Sequence, residues 1–195
     1  MAERDNDLEY ENPVGYKAPE KKTLEDIVKM DQEDESLQKY KAALLGSNPS
    51  DIKPPYPNDP RNVIVQKLAI CPVGRPDIEI DLMGDVSNLT KSPIVIKEGT
   101  KYFVKIYFFI QRELVSGLRY LMASYRLKIR VDKDTIMLGS YAPKAEAHSY
   151  KSSEEEAPTG ALTRGTYIIK SKFTDDDNND YLSWNWAIDI KKDWE

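Results

Sequence analysis

Ser183-Trp184-Asn185-Trp186-Ala187-Ile188-Asp189-Ile190 alternates apolar and polar residues without a break. Trp184, Trp186, Ile188 and Ile190 fall on one face at a period of two, and Ser183, Asn185 and Asp189 fall on the other. That is the pattern of a strand with one face buried and one in water. The same period recurs upstream. In 77–83, Ile78, Ile80 and Leu82 point inward while Asp77, Glu79 and Asp81 point outward. In 101–112, Tyr102, Val104, Ile106, Phe108 and Ile110 share a face, and Phe103, Tyr107 and Phe109 make the opposite face partly apolar as well. Further strands are expected over 63–71, 93–97, 118–131, 135–141, 146–151, 163–174 and 182–191. The 118–131 segment reads as one long strand or a bent pair, with Asp132-Lys133-Asp134 as the turn after it. Short strands with turn signals between them predict an all-β fold, an antiparallel sandwich of immunoglobulin type over residues 61–195.

Residues 1–60 show no such period and read as a flexible arm. The first 22 are polar, acidic and aperiodic, the composition of a segment disordered in isolation. Thr23 is a good N-cap for a short helix over 23–29, and Ser36 for a second over 36–45, which Gly46 stops. Leu37, Tyr40, Leu44 and Leu45 form one stripe on the second helix. Both helices are too short to be stable alone in water, so each needs a partner surface. Pro49, Pro54, Pro55, Pro57 and Pro60 then make 48–62 a stiff, extended linker between arm and body.

The chain has 195 residues and a net charge of −5, and no basic run with interleaved aromatics. Nucleic acid is therefore not expected as a partner. A single cysteine, Cys71, rules out an internal disulfide framework and fits a reducing, cytoplasmic setting. No apolar run approaches membrane-spanning length, and neither end carries a lipidation signal, so no stable membrane insertion is expected.

Candidate chemistry is sparse. His148 is the only histidine and sits in an alternating stretch, which reads as an ordinary strand residue. Asp175, Asp177 and Asn179 have the spacing that opens a calcium loop, but Asp180 stands where that loop needs glycine and Trp186 where it needs glutamate. A hairpin turn, a patch for a basic partner, and a calcium- or headgroup-binding sandwich all stay open for that segment. Asp31, Glu33, Asp34 and Glu35 lie between the two arm helices and read either as a solvated entrance to the second helix, stabilised by its dipole, or as acceptors of hydrogen bonds from a docked protein. Phe108, Ile110, Trp184 and Trp186 read as core, or as the wall of an apolar site between splayed sheets. No catalytic residue, metal site or cofactor is expected, and the chain is not read as an enzyme.

Specific strings narrow this. Asp34-Glu35-Ser36-Leu37-Gln38-Lys39-Tyr40-Lys41-Ala42-Ala43-Leu44-Leu45-Gly46 resembles the arm of the Rho GDP-dissociation inhibitors. Val115-Ser116-Gly117-Leu118-Arg119-Tyr120, Gly139-Ser140-Tyr141-Ala142-Pro143, Glu155-Glu156-Ala157-Pro158, Phe173-Thr174-Asp175-Asp176-Asp177 and Leu182-Ser183-Trp184-Asn185-Trp186 are similar to that family's body. The likeness runs over residues 16–195, and the first fifteen do not match recognisably.

The resemblance implies a partner: geranylgeranylated Rho- or Rac-family GTPases, mainly GDP-bound. The arm would block GDP release, the sandwich would take the lipid and extract the GTPase from membranes, and a monomer would pair with the GTPase as a heterodimer. It implies that Asp34, Ser36, Tyr40, Asp176 and Asp177 meet the GTPase switch regions. It implies that Leu44, Leu45, Ile70, Ile94, Phe108, Leu114, Ile136, Ile169, Trp184 and Trp186 line or close the lipid site. Ile94 and Ile136 stand where the family can carry aromatic rings, which bears on lipid preference. Another prenyl-binding chaperone of similar sandwich type is the remaining alternative.

Overall fold

The computed structural model describes residues 53–194, together with Leu8 and Ser36. The two arm helices, and with them Asp34, Tyr40, Leu44 and Leu45, lie outside the described residues. Ser36 has a helical backbone and an exposed side chain.

Among the described residues, ten strands form two five-stranded sheets. The strands are β1 (Val63–Pro72), β2 (Ile78–Asp81), β3 (Ile94–Lys97), β4 (Lys101–Ile110), β5 (Val115–Arg126), β6 (Ile129–Tyr141), β7 (His148–Lys151), β8 (Glu155–Glu156), β9 (Gly165–Thr174) and β10 (Asp180–Lys191). The first sheet runs β2-β1-β4-β7, with β8 also paired to β4, and the second runs β3-β10-β9-β5-β6. The sandwich expected from the alternating pattern is present. One pairing is parallel, β3 on β10, with Ile94 opposite Ile188. Nothing in a period of two could have announced it.

The inward faces are those the alternation marks. Ile106, Phe108 and Ile110 of β4 and Trp184, Trp186 and Ile190 of β10 are buried in one shared core. The apolar outer face of β4 is covered from several directions. Tyr56 meets Phe109 edge-on at 5.3 Å. The Lys151 ammonium lies 3.7 Å from the Phe103 ring centre, and that of Lys67 lies 4.8 Å from Tyr107. The end of the proline-rich segment is thus fastened to the body. Tyr56 N–H donates to Gln111 Oε1 (2.9 Å), and Arg112 Nη2 donates to the Asp59 carbonyl (2.6 Å). On the outer face of the second sheet, Leu8 is buried against Leu121, Ala123 and Tyr125. The sequence pattern assigned Leu8 no contact.

One turn differs from expectation. The β5–β6 reversal falls at Leu127-Lys128, and Asp132-Lys133-Asp134 lies inside β6. Leu127 (φ 50°) and Lys128 (φ 67°) both adopt the left-handed conformation, the geometry of a tight hairpin turn that ordinarily takes Asn-Gly. Each residue with a side chain costs roughly 1–2 kcal/mol there. With no glycine or asparagine at the bend, the sequence carries no mark of it.

The β9–β10 hairpin is organised by Asp175, which is buried. Its Oδ1 accepts from the N–H groups of Asp177 (3.0 Å) and Asn179 (2.9 Å), and its Oδ2 from Asn179 Nδ2 (2.8 Å) and the Tyr181 hydroxyl (2.6 Å). Four donors surround this carboxylate, so their hydrogens occupy the positions a cation would need. Asp175→Ala leaves them without that acceptor in a buried site. It is expected to lower stability by about 2–4 kcal/mol, read as a fall in the thermal midpoint.

Candidate functional site

A cavity of 510 Å³ lies between the sheets, within the range of roughly 300–1,000 Å³ usual for small-molecule sites. Its buried walls come from Ile70 (β1), Val104 (β4), Tyr120 (β5), Ile169 (β9) and Trp186, Ile188 and Ile190 (β10). Val131, Asp132 and Glu156 also line it and are exposed, so they mark its mouth. The space exists because of how side chains are graded along the strands. At the other end of the sandwich Phe108 packs against Tyr141 (4.9 Å), Phe173 (5.5 Å) and the His148 ring (5.6 Å). Those rings fill the gap between the sheets. Midway along β1, β4 and β9 the inward residues are the aliphatics Ile70, Val104 and Ile169, which leave room between the sheets, and Tyr102 and Tyr167 stand nearer the mouth.

Polar groups within the cavity are fixed. Ser171 Oγ accepts from Trp186 Nε1 (2.9 Å) and is 2.8 Å from the Tyr120 hydroxyl. This locks both rings as wall. At the mouth the Tyr102 hydroxyl donates to Glu155 Oε2 (3.0 Å). Burial pushes the Glu155 carboxyl up from its ordinary range; the Tyr102 hydrogen bond opposes this, and the nearby Asp134 and Asp132 charges add to it. Burial, and then the Glu155 charge, push the Tyr102 phenol up as well. The rim is therefore a group of carboxylates that repel one another.

Of the residues singled out for the lipid site, Ile70, Ile169 and Trp186 line this cavity. Trp184 stacks on Tyr120 (5.7 Å) in the core beyond it, and Phe108 belongs to the ring cluster at the closed end. Ile94 and Ile136 pack on the core from partly buried positions without lining the cavity, and Leu114 sits in the turn between β4 and β5. Tyr102, Met122, Tyr167 and Glu155 also line it and were not singled out. The inward face of β4 already marked Tyr102, but nothing in the alternation marks depth along a strand.

Asp176 and Asp177 lie in the β9–β10 hairpin, at the far end of β9 from the mouth. Arg119, 1% exposed, pairs with Asp176, which ties the hairpin to β5. Gly117 has φ 61° and its α-carbon faces the Asp176 carboxylate at close range, so a side chain there would displace the acid. His148 Nε2 lies 2.9 Å from the Ala142 carbonyl; burial, and then the Lys144 charge, push its pKa down. It is a packing residue on Phe108. Among the described residues no group of histidine, cysteine, aspartate or glutamate is arranged to hold a metal ion, and no helix is long and apolar enough to cross a membrane.

Glu98 closes the loop beside the mouth. Its Oε1 accepts from Arg164 Nη2 (2.7 Å), and its Oε2 accepts from Arg164 Nε (2.9 Å) and Gly160 N–H (2.9 Å). These bonds, Arg164 first, hold its carboxyl down at about 2 from an ordinary 4.5. A carboxyl lowered by folding stabilises the fold above its unfolded pKa, and loses that contribution as pH falls from 4.5 toward 2. Glu98→Gln is expected to flatten the stability profile across that window, measured by thermal unfolding against pH. An unchanged slope would show that the pair contributes nothing.

The arrangement defines a class: a β-sandwich with an apolar cavity between its sheets and a carboxylate rim. Comparison with known proteins makes it specific. The sequence matches the family described as RHO protein GDP dissociation inhibitor over residues 1–193, which includes the first fifteen residues that showed no recognisable likeness above. It is 45% identical over 188 residues to Rho GDP-dissociation inhibitor 1 of Rattus norvegicus and of Homo sapiens, covering 96% of this chain and 90% of each relative. It is 44% identical over 181 residues to Rho GDP-dissociation inhibitor 3 of Homo sapiens, covering 92% of this chain and 79% of the relative. The chain belongs to the Rho GDP-dissociation inhibitor family, whose members bind Rho-family GTPases and are inhibitors and not enzymes. Among solved structures, a Niemann-Pick type C2 protein from Japanese carpenter ant aligns with a TM-score of 0.42 and 13% identity, over 68% of this chain and 97% of that one.

Proposed function

We propose that this chain extracts geranylgeranylated, GDP-bound Rho-family GTPases from membranes and carries them through the cytoplasm as a one-to-one complex. The isoprenyl chain occupies the cavity between the sheets. Asp34, Ser36 and Tyr40 of the arm and Asp176 and Asp177 of the β9–β10 hairpin meet the switch regions, with the Arg119 pair holding Asp176 in place. Leu44 and Leu45 close the arm over the lipid. Residues 1–60 act as the regulatory arm and 61–195 as the lipid-binding body.

The observation that carries this reading is the 510 Å³ cavity walled by Ile70, Val104, Ile169, Trp186, Ile188 and Ile190. Its dimensions along the sandwich support the division of labour. The ten residues of β9 separate mouth from hairpin by about 30 Å at about 3.3 Å per residue. A GTPase body held at the hairpin end would need an extended chain end to bring its lipid to the mouth. The carboxylates Asp132, Glu155 and Glu156 suit a lipid attached to a cationic chain end, because a cation there relieves their mutual repulsion.

The test is release of GTPase from vesicles. Adding this protein to membrane-bound, geranylgeranylated, GDP-loaded Rho or Rac is expected to move the GTPase into the supernatant, with less release from GTP-loaded samples. No release from either would overturn the proposal. Release indifferent to nucleotide would point to a general prenyl chaperone.

A further inference from the structure

We propose that the β5–β6 hairpin tip is a membrane-docking element that seats the cavity mouth on an anionic bilayer while the lipid changes hosts. The inference rests on the extraction reading above.

Arg126-Leu127-Lys128-Ile129-Arg130-Val131 carries three cations, and the carboxylate that follows it, Asp132, belongs to the rim of the mouth, in a chain whose net charge is −5. Its apolar residues face water: Leu127 is 87% exposed, Ile129 69% and Val131 52%. Leu127 occupies a left-handed turn position where a polar residue or glycine would be both less strained and better hydrated. Isolated exposed apolar residues need no explanation, but these are clustered and extend the cavity. Val131 lines the mouth, and Arg126 lies over the ring of Tyr167, another lining residue (5.5 Å). Arg126 also donates to the carbonyls of Leu162 and Arg164 (2.6 Å to the latter), which holds the 87%-exposed Leu162 beside the tip.

A lipid that leaves a bilayer for this cavity is hydrated along its length unless mouth and bilayer touch. Apolar tips flanked by cations are the chemistry that enters an anionic headgroup layer. The charges also separate two neighbouring tasks. The acidic rim fits a cationic chain end carrying the lipid, whereas the basic tip repels that chain end and attracts acidic headgroups.

The test uses the full chain with an environment-sensitive fluorophore on Leu127→Cys, or on Glu113→Cys at the opposite end as control. Cys71 is buried, so the new thiol is the one labelled. Vesicles of phosphatidylcholine with phosphatidylserine are expected to shift the Leu127→Cys label to the blue, with little effect from phosphatidylcholine alone and none on the control. The unlabelled double variant Leu127→Asp/Ile129→Asp is expected to lose about tenfold in vesicle co-sedimentation while its thermal unfolding is retained. It should also slow GTPase release without changing the final amount released, since the contact serves only the transfer. Equal co-sedimentation with an unshifted label would overturn the proposal. So would a loss confined to binding of unprenylated GTPase, which would make the tip a protein contact. Failure of release by the wild-type chain, with the label shift intact, would strike the extraction reading instead.

Discussion

Replacing Ile169 with tryptophan is expected to abolish release of geranylgeranylated GTPase from vesicles while binding of the unprenylated GTPase stays within about twofold, a difference of only a few tenths of a kcal/mol. Ile169 is a buried wall residue whose side chain borders the cavity across from Ile70 and Val104. A larger ring there grows into empty space. The usual cost of overpacking, about 1–3 kcal/mol, should therefore fall at the low end. Truncating Trp186 would be less clean: Trp→Ala in a core costs about 3–5 kcal/mol, and it would also strip Ser171 of a donor. The filled cavity separates lipid capture from protein recognition. A drop in release of at least tenfold, at least about 1.4 kcal/mol, is the expected reading. Unchanged release by Ile169→Trp would mean that the lipid is housed elsewhere.

The features that were legible in the sequence are those governed by period. Alternation placed Ile78, Ile80, Tyr102, Val104, Trp184 and Trp186 on inward faces, because a strand turns its side chains by half a revolution at each step. Period cannot say where along a strand the two sheets are held apart. Trp184 and Trp186 have the same signature, yet Trp184 stacks on Tyr120 in the filled region while Trp186 walls the cavity. The difference lies in what faces them from the other strands. The rim was illegible for another reason: Asp132 and Glu155 come from separate strands, and only the pairing of β8 with β4 sets Glu155 beside Tyr102. The Leu127-Lys128 turn was hidden because its residues contradict the conformation they adopt. A local rule broken without a local benefit points to a requirement imposed from outside the fold.

Removing residues 1–52 is expected to leave the body folded and yet reduce GTPase release at least tenfold, about 1.4 kcal/mol or more. The place of the cut matters. A chain starting at residue 61 also loses the Tyr56 edge contact with Phe109, the Tyr56 N–H bond to Gln111 and the Asp59 carbonyl that receives Arg112. Those contacts together are worth about 2–4 kcal/mol, so the shorter chain should melt several degrees below one starting at Lys53. Loss of release by the 61–195 chain would then mix instability with absence of the arm. The 53–195 chain keeps those contacts and gives up the Leu8 packing on Leu121, Ala123 and Tyr125, so its thermal midpoint is measured beside its release to separate the arm's part. Its deficit follows from the energetics of the exchange. The lipid gains up to about 0.8 kcal/mol per methylene on leaving water, but it gains this in the bilayer as well as in the cavity, so the two nearly cancel. Net extraction must come from contacts that exist only off the membrane, and the carboxylates and Tyr40 of the arm are the proposed source. Asp34→Ala in the full chain should therefore weaken release although it touches no lipid. If the 53–195 chain released GTPase as well as the full chain, the cavity alone would out-compete the bilayer, and the arm would be left with control of the nucleotide only.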